Sequence, residues 1–297
     1  MKKLLYSTTF LAIVAALLWS TAFAGIKIGL QYHTPLQFGA MRFMLAGMMV
    51  MLLYRPWGLY FREVRREWRF ILTIGVIQVV VQYGLFYTGM DLVPGALGAM
   101  IVGSSPLFVA LMAHFTHPND RLNQIKMISI LVGVAGIAII TLGRRGVTMK
   151  NPLEWVGIGL LIFNNMASGY SNVLVSRFAR PLSPIILTSS SLLIGGTLLF
   201  FISLPIEGLP RGPFPWDYWA ALCWLAFLSA AAFSIWYSLL KRPGVKVSEL
   251  NVWKFLIPVS GAALSWLLVR GEQPDLISIA GMLFIVLALV LISRAKK

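Results

Sequence analysis

Three basic residues, Lys27, Arg42 and Lys254, lie inside long apolar stretches of this chain, and none of its ten acidic residues does. A cation held among apolar side chains without a fixed counter-charge suits the meeting of an anion, because a carboxylate arriving there is desolvated together with its partner. Lys254 lies four residues into its stretch, about 6 Å at the helical rise. Its long stem can snorkel outward, pair with carbonyls, hydroxyls or Glu249, or present the ammonium to a wet cavity. Pro258, four residues on, has no N–H to give to the Lys254 carbonyl, which leaves that oxygen available on about the same face. Arg42 sits slightly deeper in its own stretch, from the opposite side, and Lys27 is close enough to an end to snorkel.

Neutral polar residues cluster in three stretches. Gln78, Gln82 and Tyr83 occupy one, with Tyr87 a turn later; Asn164, Ser168 and Asn172 recur at i, i+4 and i+8 in another, with Asn165 beside them; and Thr188 to Ser191 form a hydroxyl run in a third. Stacked amides offer donors and acceptors to a polar solute. The same side chains also serve as links between helices, each worth about 0.6 kcal/mol. Trp19 fits a cavity wall or a helix contact equally well. Enzyme chemistry finds little to work with: His33, His114 and His117 form no His-Glu-x-x-His pattern, and no phosphate-cradling glycine loop occurs. No cofactor or metal is called for, and the single cysteine, Cys223, can form no disulfide within the chain.

The elements that must position these residues follow from composition. The chain is 58% hydrophobic and 12% charged, with mean hydropathy +0.81, so the lipid bilayer is its solvent. Runs of about 20 apolar residues, each long enough to cross ~30 Å of hydrocarbon as a helix, are predicted at 4–30, 36–54, 70–88, 96–115, 127–142, 155–175, 185–204, 218–240, 250–269 and 276–292. None alternates like a barrel strand, so the expected class is an all-α integral membrane fold of ten transmembrane helices. The net charge of +15 does not point to nucleic acid, because the cations sit in short loops rather than on a solvated face. Of the lysines and arginines outside the runs, 17 fall on the side of the N-terminus and 5 on the other, which places both termini in the cytoplasm. Ala22-Phe23-Ala24 before Gly25 imitates a signal-peptide cleavage site, but a retained first helix is expected.

Pro35, Tyr87 and Pro106 have counterparts in Pro184, Tyr237 and Pro258 at offsets of 149, 150 and 152. Five runs is an odd number, so a repeated second half enters the bilayer from the opposite side, the plan of inverted-repeat carriers. The halves are taken as residues 1–146 and 147–297. Leu18-Trp19-Ser20, Pro35, Arg42, Phe86-Tyr87-Thr88 and Pro106, followed by Tyr237-Ser238, Pro258 and Gly271-Glu272, resemble the EamA-like branch of the drug/metabolite transporter superfamily. Asn119-Asp120-Arg121 stands where that family often shows Gly-Glu. The resemblance implies two inverted five-helix repeats around a central cavity, lined mainly by helices one to four and six to nine.

The expected function is therefore secondary transport, as an exporter, of a small polar metabolite such as an amino acid or organic anion. The expected location is the bacterial-type inner (plasma) membrane. Substrate-binding candidates are Lys254, Asn164, Asn165, Ser168, Gln78, Gln82, Tyr83 and Trp19; Arg42, Pro106 and Pro258 are the structural or gating candidates. A flippase for a lipid-linked precursor is the alternative. Uniport or a coupling ion, and a monomer or a homodimer, are all compatible with the sequence.

Topology reporters test this layout. Fusions after Arg66 and after Lys297 are expected to read cytoplasmic and one after Lys150 external; an external C-terminus would rule out an even number of spans.

Overall fold

The computed structural model describes residues 7–54, 56–93, 98, 101–116, 120–143, 152–179, 182–210, 212–257, 259–260 and 276–294, and among these the regular structure is entirely helical. In chain order the helices are α1 (Thr8–Ser20), α2 (Ala22–Gly29), α3 (Pro35–Leu53), α4 (Trp57–Arg66) and α5 (Trp68–Ile74). A π-helical segment (Gly75–Tyr83) continues α5 into α6 (Gly84–Leu92). Then come α7 (Ser105–Thr116), α8 (Gln124–Gly143), α9 (Leu153–Phe178), α10 (Pro184–Glu207), α11 (Trp216–Leu240) and the short α12 (Val247–Asn251). A 3-10 turn (Val252–Phe255) follows α12, and α13 (Leu276–Arg294) is the last.

Four of these, Pro35–Leu53, the continuous Trp68–Leu92, Pro184–Glu207 and Trp216–Leu240, are long and apolar enough to cross a membrane. α9 has the length but not the apolarity, because Asn164, Asn165, Ser168, Ser171 and Asn172 dilute it. The run expected at 4–30 is broken at Thr21. There the Ser20 and Thr21 hydroxyls donate to the carbonyls of Leu17 and Leu18, both at 2.7 Å, and compete with the helical ladder. Half of the run expected at 250–269 lies outside the described residues.

The chain divides into two compact units, each drawn from both sequence halves: residues 1–88 with 174–243, and 89–173 with 244–297. In the first unit α3 packs on α10 at glycines. A Cβ on Gly47 would stand 2.6 Å from the Leu193 nitrogen and 2.7 Å from the Ser189 oxygen; one on Gly196 would stand 2.8 Å from the Met44 nitrogen and 3.0 Å from the Ala40 oxygen. The contact is reciprocal, and residues 40, 44 and 47 differ from 189, 193 and 196 by the same 149. Small residues let two backbones come this close, and dispersion between them replaces the hydrophobic drive that lipid cannot supply.

The helix starts are also secured reciprocally. The Glu207 carboxylate accepts from the Leu36 and Gln37 nitrogens at 2.8 and 2.9 Å, at the first turn of α3. Glu63, beyond the end of α3, accepts from the Ser183 nitrogen at 3.3 Å, where α10 begins. Each carboxylate satisfies backbone donors that a helix leaves open and meets the positive end of its dipole. α3 and α10 are therefore antiparallel.

In the second unit α8 lies along α13. A Cβ on Gly136 would stand 2.6 Å from the Gly281 oxygen, and the Ser129 hydroxyl donates to the Ala288 carbonyl at 2.7 Å. Phe255 covers Gly133 and joins Ile137, Val252 and Ile285 in a buried cluster.

Gly196→Ala is expected to cost about 1–3 kcal/mol through overpacking, seen as a melting temperature several degrees lower in detergent. Gly58→Ala, with nothing within 4 Å of its added methyl, is expected to leave it unchanged.

Candidate functional site

Pro35 begins α3 with a ring that lacks the N–H a first turn does not use, and Arg42 follows two turns later, about 10 Å along the axis. The side chain is 2% exposed. Its Nε donates to the Ser229 hydroxyl of α11 at 2.8 Å, and a terminal nitrogen donates to the Tyr87 hydroxyl at 3.1 Å. The Ser229 hydrogen is directed to the Leu225 carbonyl, which leaves the oxygen lone pairs for Arg42. The guanidinium also stands 5.1 Å from the Phe43 ring centre and 5.9 Å from that of Tyr83, within reach of their π faces. Among the described ion pairs none includes Arg42. Neutral oxygens and aromatic faces therefore hold this cation.

Trp19 and Tyr83 belong to the same neighbourhood. Trp19 meets Phe233 and Trp236 edge-on at 5.7 and 5.1 Å, Tyr83 meets Phe43 at 4.4 Å and Phe233 at 6.1 Å, and Phe233 links the two. Gln78 and Gln82 are buried on the π-helical segment that ends in Tyr83, and Gln78 Nε2 donates to Gln82 Oε1 at 2.7 Å. A π turn widens the helix and is frequent at functional positions. The hydroxyl run mostly serves its own helix: Ser189, Ser190 and Ser191 bond to carbonyls one turn back, and Ser189 also reaches the Tyr60 hydroxyl. A groove of about 470 Å³ in this unit, bordered by Thr21, Tyr32, Asp217 and Trp224, includes none of the candidates.

The second unit holds the remaining candidates. Asn165 donates to the Ile101 carbonyl at 2.5 Å and lies 3.5 Å from the Ser104 hydroxyl, at the point where the helix is interrupted before α7. Pro106 stands just after that interruption, buried, and cannot supply the N–H an unbroken helix would need. Asn164 donates to Asn165 at 2.9 Å, and Asn172 donates to the Ser168 carbonyl at 2.6 Å. The asparagine stripe is thus bonded to the protein itself at Asn164, Asn165 and Asn172. Lys254 lies, half-buried, on the 3-10 turn Val252–Phe255, whose end residues are fully buried. Pro258 lies outside the described residues.

The sequence did not identify Ser229, Phe43 or Phe233. Ser229 lies 187 residues from Arg42, and its only local mark is a serine amid small apolar residues. Nor did it assign Asp120 a role. Asp120 is 1% exposed in the loop before α8; it accepts from Lys126 Nζ and the Ser248 nitrogen, both at 2.8 Å, and from the Ser248 hydroxyl. Burial alone would raise its pKa, but the hydrogen bonds from Lys126 and Ser248 outweigh it and hold the carboxyl below the usual range. The acid that replaces the Gly-Glu pattern therefore caps the start of α12. Glu249 adds longer ion pairs, 3.9 Å to Lys126 and 3.3 Å to Lys246.

A model of the EamA-like transporter family matches residues 7–142 and again residues 155–294. An uncharacterized transporter of Synechocystis sp. is 24% identical to this chain, with 94% of the chain and 88% of the relative covered. The uncharacterized transporter YyaM of Bacillus subtilis is also 24% identical, over 81% of this chain and 79% of its own. A WAT1-related chloroplastic protein of Arabidopsis thaliana is 27% identical over 84% of this chain and 60% of its own. A solved crystal structure, at 20% identity, shares the fold with a TM-score of 0.83 over 97% of this chain and 96% of its own.

Asp120→Ala removes the short partner of a buried ammonium and a helix cap, and is expected to cost about 3–5 kcal/mol. Because the folded pKa is lowered, the stabilisation is complete above the ordinary carboxylate value of about 4 and is lost as pH falls through the lower folded value. Melting temperature against pH should therefore be level near neutrality and drop in acid for the parent, with that component of the drop gone in the variant.

Proposed function

Because the chain belongs to the EamA-like transporter family, we propose that it is a secondary carrier that exports a small polar metabolite carrying a carboxylate, an amino acid or organic anion, by alternating access around a central cavity. Its named relatives are transporters rather than enzymes. The observation that carries the charge preference is Arg42, a buried guanidinium held by hydroxyls and rings and in none of the described ion pairs. Lys254 adds a second basic group, while the described carboxylates at Glu63, Glu207 and Asp120 are engaged at helix starts. Among the described residues the acids of the four spanning helices, Asp91, Glu207 and Asp217, lie at helix ends, so a cationic cargo would find no acid deep within them. An anion or zwitterion would find basic groups whose desolvation is complete at Arg42 and partial at Lys254.

The proposed frame is ten helices in two inverted repeats, residues 1–146 and 147–297, in the inner membrane with both termini cytoplasmic. It is supported by the family model matching twice, by the reciprocal glycine contact at an offset of 149 residues, by the reciprocal helix caps, and by the loop charge bias. Substrate contacts are assigned to Lys254, Gln78, Gln82, Tyr83, Trp19, Asn164, Asn165 and Ser168, with Arg42 and Pro106 in supporting positions.

The test measures transport and thermal stability on the same purified variants. In proteoliposomes Lys254→Ala is expected to lower uptake of a carboxylate cargo about tenfold or more, the loss of a charge-assisted hydrogen bond, with Lys254→Arg keeping part of it. A well-folded Lys254→Ala that transports as the parent does would remove Lys254 from the site. Transfer of labelled lipid between leaflets without solute transport would replace the carrier by a flippase.

A further inference from the structure

Helix α4 is attached to its unit along one side. Tyr60 is 4% exposed, with its hydroxyl 3.1 Å from that of Ser189, and Glu63, one turn later, holds the Ser183 nitrogen. The rest of the helix and the residues after it face outward: Trp57, Phe61 and Trp68 are 51%, 58% and 52% exposed, and Arg62, Arg65 and Arg69 are exposed beside them. At 3.6 residues per turn Phe61 falls about 40° from Trp57 around the axis, and Arg65, Arg62 and Arg66 span roughly 80° to 180°. One face is aromatic and its neighbour basic. Both glutamates of the segment are already engaged, Glu63 with Ser183 and Glu67 with Arg66 at 2.9 Å, so Arg62, Arg65 and Arg69, in none of the described ion pairs, keep their positive field. Arg69 lies 5.5 Å over the Trp68 ring, joining the two kinds of side chain.

The position of the helix in the chain fixes its depth. α3, of membrane-spanning length, ends at Leu53, and the next spanning helix begins at Trp68, so α4 connects two spans at the level where hydrocarbon gives way to headgroups. Exposed tryptophan and phenylalanine are stable at that level, and arginines next to them reach lipid phosphates. We propose that α4, with Trp68 and Arg69, is a docking surface for anionic phospholipid headgroups of the leaflet in which α3 ends. The charge is complementary, and the aromatic rings supply the apolar contact that a charged headgroup alone does not.

The experiment uses the full chain with Cys223→Ser and Gly58→Cys, since Cys223 is the single cysteine and nothing lies within 4 Å of a side chain at Gly58. An environment-sensitive fluorophore at residue 58 is followed in nanodiscs of phosphatidylcholine with and without phosphatidylglycerol. Nitroxide-bearing lipid is expected to quench it and aqueous iodide to leave it bright. Native mass spectrometry of the unlabelled chain should show phosphatidylglycerol retained over phosphatidylcholine by about tenfold or more, on the scale of three arginines at an anionic surface. Arg62→Gln/Arg65→Gln/Arg69→Gln should bring that ratio close to parity, while Arg144→Gln/Arg145→Gln/Lys150→Gln, assigned to the opposite side by the sequence charge bias alone, should leave it intact. Quenching by iodide and not by lipid would overturn the proposal and make α4 a surface for a soluble partner. An unchanged ratio in the first variant, or an equal loss in the second, would also overturn it. The quenching pattern decides the question even if the first variant folds poorly.

Discussion

A backbone N–H at the start of a helix has no partner within that helix, and inside or beside hydrocarbon there is little water to replace one. Much of this structure answers that constraint. Glu207, Glu63 and Asp120 each leave their own segment to hold the first donors of another, α3, α10 and α12 in turn. The partners lie 171, 120 and 128 residues away along the chain. These caps bind distant segments more tightly than the contact area alone would, because a carboxylate accepting backbone donors at a dipole terminus is a charge-assisted contact.

That use of the acids has a consequence for the bases. With these carboxylates held at helix ends, a cation placed within a span has to be accommodated by neutral groups. Arg42 shows how: one hydroxyl oriented by its own bond to Leu225, a second from Tyr87, and two ring faces. Such partners lower the cost of burying a guanidinium without cancelling its charge. The charge therefore remains available as a field, whether its service is to order the aromatic cluster of Trp19, Phe43, Tyr83 and Phe233 or to meet a carboxylate.

The sequence showed an all-helical membrane protein, because apolar length is a local property. It did not show who meets whom. Ser229, Phe233 and Ser248 look unremarkable in their local sequence, and Arg42, Tyr83 and Asp120, which they meet, lie more than a hundred positions away. The spacing of Asn164, Ser168 and Asn172 puts them on one helical face but leaves open whether that face meets solute or protein; Asn164 donates to Asn165, which meets the Ile101 carbonyl. The arginines of 62–69 were legible as a charge bias and not as a surface, since the inward turn of Tyr60 and Glu63 that exposes them is set by Ser189 and Ser183.

Within the apolar runs the described helices depart from α geometry at four places, and each adjoins candidate residues. The break at Thr21 follows Trp19; the π segment carries Gln78, Gln82 and Tyr83; the interruption at Ser104 precedes Pro106 and is held by Asn165; the 3-10 turn carries Lys254. Irregular backbone at membrane depth persists only where protein or a wet cavity satisfies its carbonyls and amides. Glycine contacts as close as those of Gly47 and Gly196 cannot shift without separating two helices, so the α3–α10 pair is the rigid part of its unit. The interruptions are the segments where dihedral angles can change at low cost, because their hydrogen-bond ladders are already incomplete. Polar side chains set at those interruptions are the first whose hydrogen bonds within the protein would change with a backbone adjustment.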